Sequence, residues 1–127
     1  MPRPKNTKPT DKELAILAVM WERGPSTVQS VHDEMHPQGQ TGYTTTLKLM
    51  QIMRDKGLLV RTEGSRRHVY RPAQSQTQTQ KKVVREVMGK VFAGSTEKLV
   101  MSTLSVKKVS AAELEKIRAM LDDLDTV

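Results

Sequence analysis

The chain has 127 residues, 36% of them hydrophobic, with no cysteine and only four aromatic side chains, Trp21, Tyr43, Tyr70 and Phe92. The absence of cysteine excludes disulfides, thiolate metal sites and a cysteine nucleophile, and no apolar run approaches the roughly 18 residues of a membrane span. The net charge of +7 lies mainly in residues 1–73, which carry +5 against +2 for the remainder, and such a balance points to an acidic partner, nucleic acid first among them.

The opening "MPRPKNTKPT" is basic, lacks the apolar h-region of a signal peptide and has prolines at 2, 4 and 9. Residues 1–9 therefore read as a disordered basic arm, and a cytoplasmic protein is expected. A first helix opens at a capping box, Thr10 with Glu13 three residues on. Leu14, Leu17 and Trp21, joined by Ile16 and Met20, give it an apolar face, and "RGP" at Arg23 to Pro25 ends it. A second capping box, Ser26 with Gln29, is expected to open a second helix with Val28, Val31 and Met35 inward. Pro37 and Gly39 stop it. Within it, "HDEMH" sets His32 and His36 one turn apart. Asp33 stands where the zinc motif H-E-x-x-H needs glutamate, so both imidazoles are assigned to a solvated helix face and no metal is expected.

The third helix is "GYTTTLKLMQIMRDKGLL", spanning about 43–56 with Gly57 as the left-handed residue after it. Thr46, Leu49, Met50 and Met53 fall on one face, flanked by Leu47. Thr44, Thr45, Lys48, Gln51 and Asp55 fall elsewhere. Three β-branched threonines are a costly way to begin a helix. Either they cap its free N–H groups or they are left outside to touch something polar, such as a phosphate or a base edge. Two short strands follow, at 58–63 and 68–72, joined by the turn "GSRR". Charge at that tip either guards a sheet edge or reaches a polyanion.

Three helices and a hairpin in this order make a winged helix, expected over residues 10–73. Beyond Pro72 the run "AQSQTQTQ" suits a linker or a frayed helix start, and residues 74–127 read as a helical domain. Val84, Val87, Met88 and Val91 line one helix ending near Gly94. Ser95 opens a shorter one, and Ser110 with Glu113 forms a third capping box ahead of Leu114, Ile117, Leu121 and Leu124. So few residues bury too little surface to stand alone. Their apolar stripes require either the N-terminal domain or a second copy of the chain, and the second copy is the simpler partner. The fold class expected is thus mainly α: a winged helix followed by a helical dimerisation domain.

Catalysis is not expected, because the chain has no phosphate-binding glycine loop, no G-x-S-x-G and no paired carboxylates in an apolar setting. No cofactor is expected either. Tyr43, Thr44, Thr45, Lys48 and Gln51 on the third helix are the candidates for reading a double-stranded DNA operator, with Arg66, Arg67 and His68 of the hairpin beside them. A homodimer would read a two-fold symmetric site. The alternative is a winged-helix module whose basic face binds an acidic protein.

"ELAILAVMWERGPSTVQSVHDEM", "GYTTTLKLMQIMRDKGLLVR", "RHVYRP" and "FAGSTEKLV" resemble the penicillinase repressor family, the BlaI/MecI-type winged-helix repressors, from about Thr10 to Leu124. The resemblance implies a dimeric transcriptional repressor of resistance genes. It also implies relief by cleavage in the C-terminal domain, triggered by a membrane-bound sensor protease that responds to β-lactam. Three features depart from the family pattern. Ser102 and Thr103 stand where inducible relatives carry an Asn–Phe cleavage pair, the cysteine-rich tail of copper-responsive relatives is missing, and Ile52 replaces a frequent arginine.

Overall fold

A computed structural model describes residues 8–39, 41–62 and 67–125. The described elements, in order, are α1 (Asp11–Arg23), β1 (Ser26–Thr27), α2 (Val28–Met35), α3 (Tyr43–Asp55), β2 (Leu59–Thr62), β3 (Val69–Pro72), α4 (Gln76–Val91), α5 (Thr96–Val106) and α6 (Ala111–Asp125). The protein is mainly helical with one three-stranded antiparallel sheet, in the winged-helix order. Residues 1–7 of the expected arm, and Gly64, Ser65 and Arg66 of the hairpin tip, lie outside the described residues. The chain divides into two compact units, Met1–Gln80 and Lys81–Val127.

In the first unit, α1 opens at the expected capping box. Thr10 Oγ1 accepts from the Glu13 amide at 3.2 Å, and Glu13 Oε1 accepts from the Thr10 amide at 2.8 Å. The helix closes on Gly24, whose φ of +86° suits glycine best. Ile16, Leu17 and Met20 of α1 meet Val28 and Val31 of α2, Met50 and Met53 of α3, Leu59 and Tyr70 in a single core. Gly57, at φ +81°, turns the chain out of α3 into β2, as its position after the helix implied.

Two local expectations are corrected. Ser26 does not cap α2. Its backbone pairs with Tyr70 in the sheet and its hydroxyl donates to the Gly24 carbonyl at 2.8 Å. Thr27 is the cap instead, accepting from the Ser30 amide at 3.1 Å. The two-residue strand β1 that displaces the cap lies beside β3, which occupies the middle of the sheet. A strand so short has no alternation to reveal it.

The histidines are not on a solvated face either. His32 is buried, with Nδ1 2.7 Å from the buried Thr46 Oγ1, and His36 is half-buried with its ring 5.2 Å from that of His32. Helical geometry explains this. Val28, Val31, His32 and Met35 stand at i, i+3, i+4 and i+7, so His32 belongs to the inward stripe.

The polar run after Pro72 is a helix start. Ser75 Oγ accepts from the Gln78 amide at 3.1 Å, Gln78 Oε1 accepts from the Ser75 amide at 2.9 Å, and α4 begins at Gln76. Trp21 Nε1 donates to the Gln74 carbonyl at 3.1 Å, fixing this segment against α1. The helix stops at Val91, before the left-handed pair Ala93 and Gly94, whose amide bonds back to the Met88 carbonyl.

In the second unit, Ser95 caps α5 and Ser110 Oγ accepts from the Glu113 amide ahead of α6. No described residue of this unit is buried. Its valines, leucines and methionines are exposed or half-buried, Val91 at 70% and Leu121 at 55%.

Candidate nucleic-acid interface

The three threonines that begin α3 have separate fates. Gly42 is the N-cap and no side chain caps the helix; the Thr45 amide bonds to the Gly42 carbonyl at 3.1 Å. Thr46 turns inward to His32. Thr44 and Thr45 are exposed, and neither hydroxyl forms a hydrogen bond with another described residue. They are not spent on capping. Lys48 and Gln51 continue the same exposed side, also without a hydrogen bond or ion pair to a described residue.

This open face stands on a helix anchored along its length. At its start, Tyr43 meets the edge of His32, with ring centroids 6.1 Å apart. In the middle, Thr46 holds His32 while Met50 and Met53 fill the core. At its end, Lys56 Nζ donates to Glu13 Oε1 at 2.7 Å, and the Leu58 amide bonds to the Met53 carbonyl at 2.9 Å. Glu13 is only 1% exposed. Burial pushes its carboxyl up. The Lys56 hydrogen bond, the bonds from the Thr10 backbone and side chain, and the Lys56 charge outweigh that and hold it below its ordinary value.

Beside the first turn of α3 lies an open cleft. Thr27, Val28 and Gln29 line it from the start of α2, Tyr43 and Leu47 from α3, and Arg67, His68 and Tyr70 from the wing. The structure therefore brings Tyr43 together with Arg67 and His68, with Thr44, Thr45, Lys48 and Gln51 outward on α3. Arg66 lies outside the described residues. The polar residues of the cleft are hydrogen-bond donors and acceptors with one guanidinium, suited to phosphate oxygens and base edges. Among the described residues, no three or more His, Cys, Asp or Glu side chains converge as a metal would need.

Sequence reasoning missed Glu13, taken only for a cap, and its partner Lys56. It also missed the cleft residues Thr27 and Gln29. Nothing local signals a contact between residues 43 positions apart. The expected pairing residues Val84, Val87, Met88, Val91, Leu114, Ile117, Leu121 and Leu124 all lie on α4 and α6, exposed or half-buried.

Comparison with known proteins agrees with the resemblance. The family model for the penicillinase repressor matches residues 9–123. The transcriptional regulator BlaI from two strains of Mycobacterium tuberculosis, CDC 1551 / Oshkosh and ATCC 25618 / H37Rv, is 24% identical over 122 residues. Each alignment covers 95% of this chain and 88% of the relative. With a match across nearly its whole length, the chain belongs to the penicillinase repressor family.

Proposed function

We propose that the protein is a transcriptional repressor that binds double-stranded DNA as a homodimer on a two-fold symmetric operator. The observation that carries this is the outer side of α3: Thr44, Thr45, Lys48 and Gln51 are exposed and unengaged on a helix otherwise locked into the core. Such a helix enters a major groove with its polar side first, and Tyr43, Arg66, Arg67 and His68 then meet the flanking backbone. The net charge and the family both favour this partner.

Dimerisation through α4 and α6 is supported by the second unit's lack of any buried described residue. Two copies would cover Val84, Val87, Met88 and Val91 together with Leu114, Ile117, Leu121 and Leu124. Linking two winged helices makes the second half-site contact intramolecular, which raises affinity by about 10²–10⁴. Cleavage in the C-terminal domain, by a membrane sensor protease responding to a β-lactam or cell-wall signal, would remove that gain and lift repression of resistance genes. The cytoplasm is where such a protein would meet its operator.

The test is binding of the full chain to the DNA beside its own gene, footprinted and titrated against salt. Two protected half-sites should lie about one helical turn, or a multiple of it, apart. With about 6–10 phosphates neutralised per dimer, log K should fall against log salt with a slope near −0.9 per phosphate. Absence of duplex binding at about 50 mM salt, where electrostatic attraction is strong, would refute the proposal.

A further inference from the structure

Ile52 is 41% exposed in the last two turns of α3. Among the described residues of the first unit, the exposed large hydrophobic side chains are Tyr43, Ile52 and Val60, and only Ile52 lies within the outward polar side of α3. Thr45, Lys48 and Ile52 stand at i, i+3 and i+7, so the isoleucine continues the line of the candidate reading residues. Its neighbours along that side, Gln51 and Asp55, are polar and exposed.

Neither packing nor helix propensity accounts for an isoleucine here. The core is complete without it, and β-branched residues are weaker helix formers than the straight-chain residues that usually fill exposed positions. A side chain with no hydrogen-bonding group cannot read a donor or an acceptor. In the major groove, the apolar feature that base edges present is the C5-methyl group of thymine.

We infer that Ile52 is a specificity-determining residue that packs against a thymine C5-methyl group in each operator half-site. Resting on the DNA-binding function proposed above, it gives the recognition helix two kinds of readout. Thr45 and Lys48 supply hydrogen bonds, and Ile52 supplies an apolar contact further along the helix. A cytosine at that position places a bare C5–H against the side chain, and a guanine on the same strand presents only its N7 and O6 acceptors.

The test begins with the full chain and a randomised duplex library, from which the tightest duplex is recovered. Each thymine in that duplex is then replaced singly by deoxyuridine, which keeps the base pair and removes only the methyl group. Wild-type protein should show one thymine per half-site at which the replacement weakens binding about fourfold, the equivalent of about 0.8 kcal/mol for one buried methyl. Ile52→Ala, at an exposed position, should retain the wild-type circular dichroism spectrum and bind thymine and deoxyuridine at that position equally. Placing 5-methylcytosine there, paired with guanine, should recover part of the affinity that plain cytosine loses, for wild type only. Identical deoxyuridine profiles for wild type and Ile52→Ala overturn the inference while leaving DNA binding intact. Recovery of no duplex at all overturns the DNA-binding function and this inference together.

Discussion

Lys56 Nζ sits 2.7 Å from Glu13 Oε1, joining the C-cap of α3 to the first turn of α1. Glu13 thus serves two elements through one oxygen, since Oε1 also accepts from the Thr10 amide. The cap of one helix and the position of α3 are a single electrostatic feature.

Acid should loosen this feature. Glu13 is held below its ordinary value of 4.5, so the native state binds the proton less readily than the unfolded chain does. The pair's contribution is complete above the unfolded value and is lost as pH falls through the lowered native one. Urea midpoints should therefore decline from about pH 5 downward, and Lys56→Met should flatten that decline. At neutral pH Lys56→Met should cost about 1.5–3 kcal/mol, as for hydrogen bonds to charged groups. An unchanged acid limb in the mutant would show that the pair does not govern it.

Thr46→Val keeps the shape of the side chain and removes the hydroxyl, leaving His32 Nδ1 buried without its partner. The expected loss is about 1–3 kcal/mol, the cost of stranding a buried polar group. Combining it with His32→Leu should recover much of that loss, because removing both partners is less harmful than removing one. Urea denaturation of the two single mutants and the double mutant measures the coupling directly. Simple additivity would mean that the 2.7 Å contact contributes nothing.

Much of this fold was legible in the chain. The capping box at Thr10, the inward side of α3 and the left-handed Gly57 are local features, set by side chains within four residues of one another. Ser26 was misread because its cap pattern is local while its actual partner, Tyr70, is 44 residues away. His32 was misread for a related reason. Its polarity suggested solvent, whereas its place four residues after Val28 put it in the inward stripe, and its burial is accommodated by the hydrogen bond with Thr46. Exposure of Thr44, Thr45, Lys48 and Gln51 followed from periodicity alone. The meeting of Tyr43 with Arg67 and His68 around one cleft depends on where the sheet lies, and no spacing encodes it.

Substitutions at the proposed interface should separate positioning from reading. Arg67→Ala should weaken binding to all duplexes alike, since contacts to phosphate carry little sequence information. Thr45→Ala and Lys48→Ala should instead change the preferred base at one position, costing about 1–3 kcal/mol there. Comparing selected sequences for each mutant decides between the two behaviours. Uniform losses from all three would remove α3 as the reader.

Leu121→Asp tests the link between the second unit and DNA. Leu121 is 55% exposed within one chain, so a carboxylate there meets water and leaves α6 intact. In a dimer built on Val84, Val87, Val91, Leu121 and Leu124, the same carboxylate would be buried opposite apolar side chains without a counter-charge, and breaking the pair is the less costly outcome. Sedimentation should therefore show a monomer, while the far-ultraviolet circular dichroism retains its helical content. Operator affinity should fall by about 10²–10⁴, the gain expected from linking two half-site contacts, and weak non-specific binding should persist because the first unit is untouched. A chain ending at Gln80 should behave in the same way on DNA. If either variant holds the full operator as tightly as the intact protein, pairing through α4 and α6 has no part in repression.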